Sequence, residues 1–172
     1  MKFLKEKSGQ VLVESIIALS VLLVGFLSLI SLLNNSLGLN RVVTENYIAT
    51  YLAAEGIEYV KNKIDTNILN LGVPWNQGLN DGYYELKLNG NDFSLERIYS
   101  TSSVPSLKFD PNNKVYNYDT GPDTPFKRYI YIQNKFHNGS QDEIVVNSVV
   151  FWTSRGGGRY EVNLEDHFFD KQ

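Results

Sequence analysis

Cysteine is absent from the 172 residues, which excludes disulfides, thiolate metal centres and a cysteine nucleophile. Histidine occurs only at His137 and His167, too few for most imidazole-based zinc sites or catalytic triads. Proline is missing from residues 10–73, so a helix there meets no backbone break of that kind. Positive charge is not in excess either: 16 Lys and Arg stand against 19 Asp and Glu, a formal net charge of -3. That balance argues against a nucleic-acid binder, which needs a basic stripe to displace counterions. One stretch lacks charge altogether, since residues 15–40 include no ionisable side chain.

What fills that stretch is apolar. Residues 11–33 read VLVESIIALSVLLVGFLSLISLL, with Glu14 the only charge. A helix of about 20 apolar residues spans a bilayer core, so this run is long enough to cross one. A buried core helix would interrupt its run with a polar face. Lys2, Lys5 and Lys7 precede the run, and the positive-inside rule keeps that end cytoplasmic with the rest of the chain outside. A cleaved secretory signal fits less well, because the run exceeds the usual 7–15 residues and has no small-x-small site behind it. Glu14 is the odd residue. A carboxylate in an apolar medium costs several kcal/mol unless it snorkels to headgroups or finds a cation.

The stretch Ser8-Gly9-Gln10-Val11-Leu12-Val13-Glu14, followed by a long apolar helix, resembles the class III signal of type IV pilins and pseudopilins. The resemblance implies a basic leader cut after Gly9 by prepilin peptidase on the cytoplasmic side. Gln10 becomes the first mature residue and the site of N-methylation, and Glu14 becomes the fifth. The family's usual first residue is Phe, often followed by Thr, whereas this chain has Gln10 and Val11. An N-terminal glutamine can also cyclise to pyroglutamate, which competes with methylation. The mechanism is physically consistent, because the Gln10 amine of one subunit and the Glu14 carboxylate of its neighbour would satisfy each other's buried charge.

Beyond the run the period becomes that of an amphipathic helix. Val42, Ala49, Ala53, Gly56, Val60 and Ile64 fall on one face, with Arg41, Glu45, Glu55, Glu58, Lys61 and Asn62 largely opposite. The small residues Ala49, Ala53 and Gly56 allow a sheet to approach closely. One long helix over about residues 11–65 is expected, with a bend or local melting on assembly at Gly38. The alternative ends the membrane helix at Gly38 and starts a second one near Thr44. The segment Tyr51-Leu52-Ala53-Ala54-Glu55-Gly56-Ile57-Glu58-Tyr59-Val60-Lys61-Asn62 also resembles minor pilins of the modification-protein type. An amphipathic helix packing on a sheet accounts for the same residues.

After residue 65 short alternating runs appear. Residues 82–88 and 93–99 flank Asn89-Gly90-Asn91-Asp92, and residues 127–136 and 144–152 flank Asn138-Gly139, two hairpin signals. Residues 160–164 add a fifth strand, and a proline-containing loop separates the hairpins. The expected fold class is α+β: a long N-terminal helix packed on a C-terminal antiparallel sheet, as the pilin resemblance also implies. The expected domains are a leader at 1–9, the helix at 10–68 with about 11–33 in the membrane, and a β domain at 69–172. Tyr83, Tyr84, Tyr129, Tyr131 and Trp152 are expected on the sheet faces, with a carbohydrate- or DNA-binding platform as the rarer alternative.

Catalytic signals are thin. Asp110, Asn112, Asn113, Asp119 and Asp123 are oxygen-rich, but their spacing fits no EF-hand and suits Asx turns better. Glu143, Glu161, Glu165 and Asp166 look dispersed, and neither His137 nor His167 has an evident Ser or Asp partner. Arg155-Gly156-Gly157-Gly158-Arg159 lacks the Lys-Ser/Thr of a phosphate loop. No enzyme, cofactor or metal site is expected. Removing residues 1–9 takes away three lysines and one glutamate, so the net charge becomes -5, a poor grip on DNA. The reading is a minor pilin or pseudopilin, a single-pass membrane precursor that enters a type IV pilus-like filament at the cell surface. Its partners would be prepilin peptidase, other pilin subunits, the inner-membrane assembly platform and, before assembly, membrane lipid. The rival is a signal-anchored surface binding or adhesion protein that never polymerises, and a tethered enzyme is a third possibility.

Overall fold

A computed structural model describes residues 3–70, 72–89, 92–137 and 140–170. Helix α1 spans Phe3–Leu69. The strands are β1 (Gly82–Asn89), β2 (Asp92–Ile98), β3 (Lys108–Asp110), β4 (Val115–Asn117), β5 (Lys127–His137), β6 (Ser140–Thr153) and β7 (Arg159–Phe169). The chain divides into two compact units, Met1–Thr44 and Glu45–Gln172.

In the first unit the apolar run is helical and uncovered. Its large side chains range from 40% exposed at Ile30 to 69% at Val21. Gly25 and Gly38 are both helical, so Gly38 does not terminate the helix. Three of the four hydroxyls in the run are satisfied locally. Ser15, Ser20 and Ser28 donate to the carbonyls of Val11, Ile16 and Val24 at 2.7–2.8 Å. In a medium without water this matters, because every unsatisfied polar group there costs several kcal/mol.

In the second unit, residues 45–69 of α1 pack on an antiparallel five-stranded sheet of order β2-β1-β5-β6-β7, giving the α+β class expected. The helix presents Ala49, Leu52, Ala53, Val60 and Ile64, all buried, at the 3–4-residue spacing of one face. One cluster joins Val60 and Ile64 to Leu79, Tyr84, Leu86, Ile130, Ile132, Ile144 and Val146. A second joins Ala49, Leu52 and Ala53 to Leu107, Phe126, Val150 and Trp152. Each buried Val, Leu or Ile contributes about 1.5–3 kcal/mol. Gly56 lies where helix and sheet come nearest: a Cβ built there would sit 2.3 Å from Ser148 Oγ on β6. After Leu69, Gly72 at a φ of 89° and Pro74 bar continuation of the helix. Asn67 Nδ2 then ties the following segment down by donating to the carbonyls of Trp75 and Gln77 at 3.0 and 2.9 Å.

The strand inventory corrects the sequence reading in two places. The loop expected between the hairpins holds a second small sheet, β3-β4. Val104, Leu107 and Phe126, which flank this small sheet in the chain, are buried. Gly121 is required there, since at a φ of 100° a Cβ would meet the Phe109 carbonyl oxygen at 2.1 Å. The last strand also runs on through Glu165, Asp166 and His167 to Phe169. Its exposed face is polar, so hydrophobic alternation fades although the ladder to β6 continues. The tips of both expected hairpins, Gly90-Asn91 and Asn138-Gly139, lie outside the described residues.

Candidate assembly interface

Gly9, Gln10 and Glu14 all lie within α1 and are exposed. Gly9, Gln10, Val13, Glu14, Ile17 and Ala18 line one shallow concavity along the helix. Residues at i, i+4 and i+8 share a helix face, which puts Gln10, Glu14 and Ala18 in line. Glu14 has no ion-pair or hydrogen-bond partner among the described residues. Lys2 lies outside the described residues, as do the side chains of Lys5 and Lys7. This first half of α1 offers an apolar surface carrying an exposed carboxylate, Glu14, that has no partner among the described residues.

The second half of α1 is fastened rather than open, and here two residues assigned to the solvent face have other work. Glu45 Oε2 accepts from the indole Nε1 of buried Trp152 at 3.1 Å. Glu55 pairs with Arg128, which is fully buried on β5. Arg128 Nη1 also donates to the Leu52 carbonyl at 3.0 Å and Nη2 to the Leu86 carbonyl at 3.3 Å, while Nε is buried without a partner. One guanidinium thus bridges α1, β1 and β5. The Tyr118 hydroxyl donates to the Arg128 carbonyl at 3.3 Å, and burial pushes its pKa up to about 12. The signal for Arg128 was present in the sequence. It shares strand parity with Ile130 and Ile132, so alternation points it inward, and a buried arginine requires an anion.

The remaining candidates resolve into structure. Asp110 is consumed by an Asx turn. Its Oδ1 accepts from the Asn112 and Asn113 amides at 2.8 and 3.4 Å, and its Oδ2 accepts from Asn113 Nδ2 at 2.9 Å. Those bonds, the Asn112 amide first, hold its carboxyl below the usual range. Asn117 likewise accepts from the amides of Asp119 and Thr120. Among the described residues no group of three His, Cys, Asp or Glu side chains is placed to hold a metal ion. The glycine run closes a turn between β6 and β7, with Ser154 N donating to the Gly158 carbonyl at 2.9 Å and Gly157 N to the Ser154 carbonyl at 2.8 Å.

His167 has two glutamate partners, which the sequence reading did not name. The β6–β7 register puts it between Glu143 (Nδ1 to Oε1, 2.5 Å) and Glu165 (Nε2 to Oε1, 3.1 Å). The bond to Glu143, then that to Glu165, raises the imidazole pKa. Asn147 Nδ2 extends the row by donating to Glu165 at 2.7 Å. A histidine between two carboxylates and an amide forms a cross-strand clasp.

Comparison of the chain with protein-family models, with curated proteins and with solved structures finds no match. The architecture itself is pilin-like: one long N-terminal helix, apolar and exposed in its first half, packed in its second half on a C-terminal antiparallel sheet.

Proposed function

We propose that this chain is a minor pilin or pseudopilin, a structural subunit of a type IV pilus-like filament. The observation that carries the reading is the pairing of two features on α1. One is an apolar stretch exposed on all sides with Glu14 unpartnered among the described residues; the other is a distal stretch already committed to its own sheet. The precursor sits in the membrane as a single-pass protein, N-terminus inside and β domain outside. Prepilin peptidase cuts between Gly9 and Gln10, and the new Gln10 amine is methylated. On an inner-membrane assembly platform the apolar stretch then leaves lipid for the helices of other pilin subunits. There Glu14 of one subunit meets the terminal amine of the next, and each charge offsets the burial cost of the other.

Substitution at Glu14 tests this reading against a permanent membrane anchor. Glu14→Leu removes an unfavourable charge from an anchor and leaves surface display of the β domain intact. In a filament subunit it leaves a neighbour's amine without a partner, so the variant accumulates in membranes and is lost from sheared filaments. Immunoblots of both fractions, with Glu14→Asp as a conservative control, read the difference. Wild-type incorporation of Glu14→Leu would leave the signal-anchored surface binding protein as the better account.

A further inference from the structure

The sheet register builds a second feature on the face turned away from α1. Across three strands, Lys127 stands opposite Phe151 and Phe151 opposite Glu161. The next row sets Thr153 against Arg159, and the preceding row is Tyr129, Val149 and Asn163. β1 adds Tyr83 opposite Tyr131. The rings form an unbroken path: Tyr131 to Tyr83 at 4.7 Å between centroids, Tyr83 to Tyr129 at 5.7 Å, and Tyr129 to Phe151 at 6.2 Å. Same-face side chains repeat about every 6.8 Å along a strand, so the path from Tyr131 to the Arg159 row covers about 20 Å. At the end of the sheet it opens into a cleft of about 600 Å³ lined by Lys127, Phe151, Arg159 and Glu161 from this face and by Trp152 and Tyr160 from the other.

Six of the polar groups along this path are uncommitted. Among the described residues, the side chains of Lys127, Arg159 and Glu161 have no ion pair or hydrogen bond, and neither do the hydroxyls of Tyr83, Tyr129 and Tyr131. A concave site with an aromatic floor and a few convergent polar groups is how proteins hold small polar ligands. We propose that the cleft and the tyrosine path leading to it bind an acidic oligosaccharide. A pyranose ring has an apolar C–H face suited to the electron-rich face of an aromatic ring, and a hydroxyl rim suited to tyrosine and carboxylate. Lys127 and Arg159 supply charge-assisted bonds to a sugar carboxylate, and Glu161 accepts from sugar hydroxyls. A single-stranded nucleic acid would need cations along the whole path. Between the Tyr131 and Arg159 rows the cations are instead confined to Lys127 and Arg159 at the cleft end, while Glu165 stands at the other end and Lys135 lies beyond it, opposite Glu143.

The test uses the full chain in detergent and isothermal titration with tetragalacturonate, cellotetraose and a thymidine oligonucleotide. Tetragalacturonate binds, and cellotetraose binds at least tenfold more weakly. Phe151→Ala and Lys127→Glu each weaken tetragalacturonate binding at least tenfold, and raising the salt concentration weakens it further. Phe151 is half-buried, so unfolding midpoints are checked, and Lys127→Glu keeps the test valid should Phe151→Ala fail to fold. The proposal is overturned by no binding of tetragalacturonate, by an unchanged Kd in Lys127→Glu, or by tighter binding of the oligonucleotide. These readouts are independent of filament assembly.

Discussion

Between residues 11 and 39, α1 carries Val, Leu, Ile and Phe on every side, and each is at least 40% exposed. Between residues 45 and 67 the same helix shows one apolar face only, and Ala49, Leu52, Ala53, Val60 and Ile64 on it are buried. Both stretches are helical, yet only the second has its apolar surface satisfied within the chain. The contrast shows that apolar content and apolar period say different things. A period of 3.6 identifies a face that the protein itself covers, whereas a continuous run identifies a surface that something else must cover. Glu14 belongs to the second kind of problem and Glu55 to the first. One is unpartnered among the described residues, and the other is closed by Arg128.

The largest expected effect comes from separating the stretches. A chain of residues 40–172 should stay monodisperse in buffer, whereas the full chain should require detergent or lipid, as size-exclusion chromatography would show. Aggregation of the shorter chain would mean that the β domain also depends on the apolar run. Next comes Glu55→Ala, which strands a fully buried Arg128 and should cost about 3 kcal/mol in denaturant unfolding, because breaking a buried pair leaves an uncompensated charge. The equivalent change at Glu14 should leave the unfolding of the β domain unmoved.

A smaller loss is expected from Gly56→Ala. Overpacking against Ser148 Oγ costs about 1–3 kcal/mol, and the helix propensity of alanine returns about 1 kcal/mol. In a Ser148→Ala background the penalty should shrink, since the obstructing hydroxyl is gone and was itself buried without a partner. Gly25→Ala, in the uncovered stretch, meets nothing within 4 Å and should be neutral or mildly stabilising.

The smallest effect belongs to the clasp at His167. Its folded pKa is raised above the unfolded value of about 6.5, so the folded state holds the proton more tightly. The stability this contributes is full below about pH 6.5 and is lost as pH rises through the folded pKa. Unfolding midpoints of the wild type should therefore fall as pH climbs from 6 to 9. His167→Gln should flatten that slope, and an equally steep variant would remove the clasp from the account.

Much of this was readable from residue order because it depends on local rules. The apolar run, the small-residue stripe at Ala49, Ala53 and Gly56, and the main strands all follow from period and composition. What stayed hidden depends on register between distant segments. His167 meets Glu143 only because Val145 pairs with His167 on adjacent strands, and no spacing along the chain encodes that pairing. The β3–β4 hairpin leaves no signal in the sequence because three-residue strands are too short to show alternation. Arg128 is the intermediate case, visible as an inward-facing charge, although its partner could only be found in space. Gly9, Gln10 and Glu14 are legible as a motif, and in the proposed filament their surroundings would belong to other subunits.

The N-terminal peptide of the mature protein, recovered from native membranes or sheared filaments and weighed by mass spectrometry, tests the account most directly. A peptide beginning at Gln10 is the predicted result, and its mass separates a methylated amine from a free or cyclised one. A surface-exposed protein whose first peptide still begins at Met1 would contradict the filament reading, because the amine proposed to pair with Glu14 would never have been made.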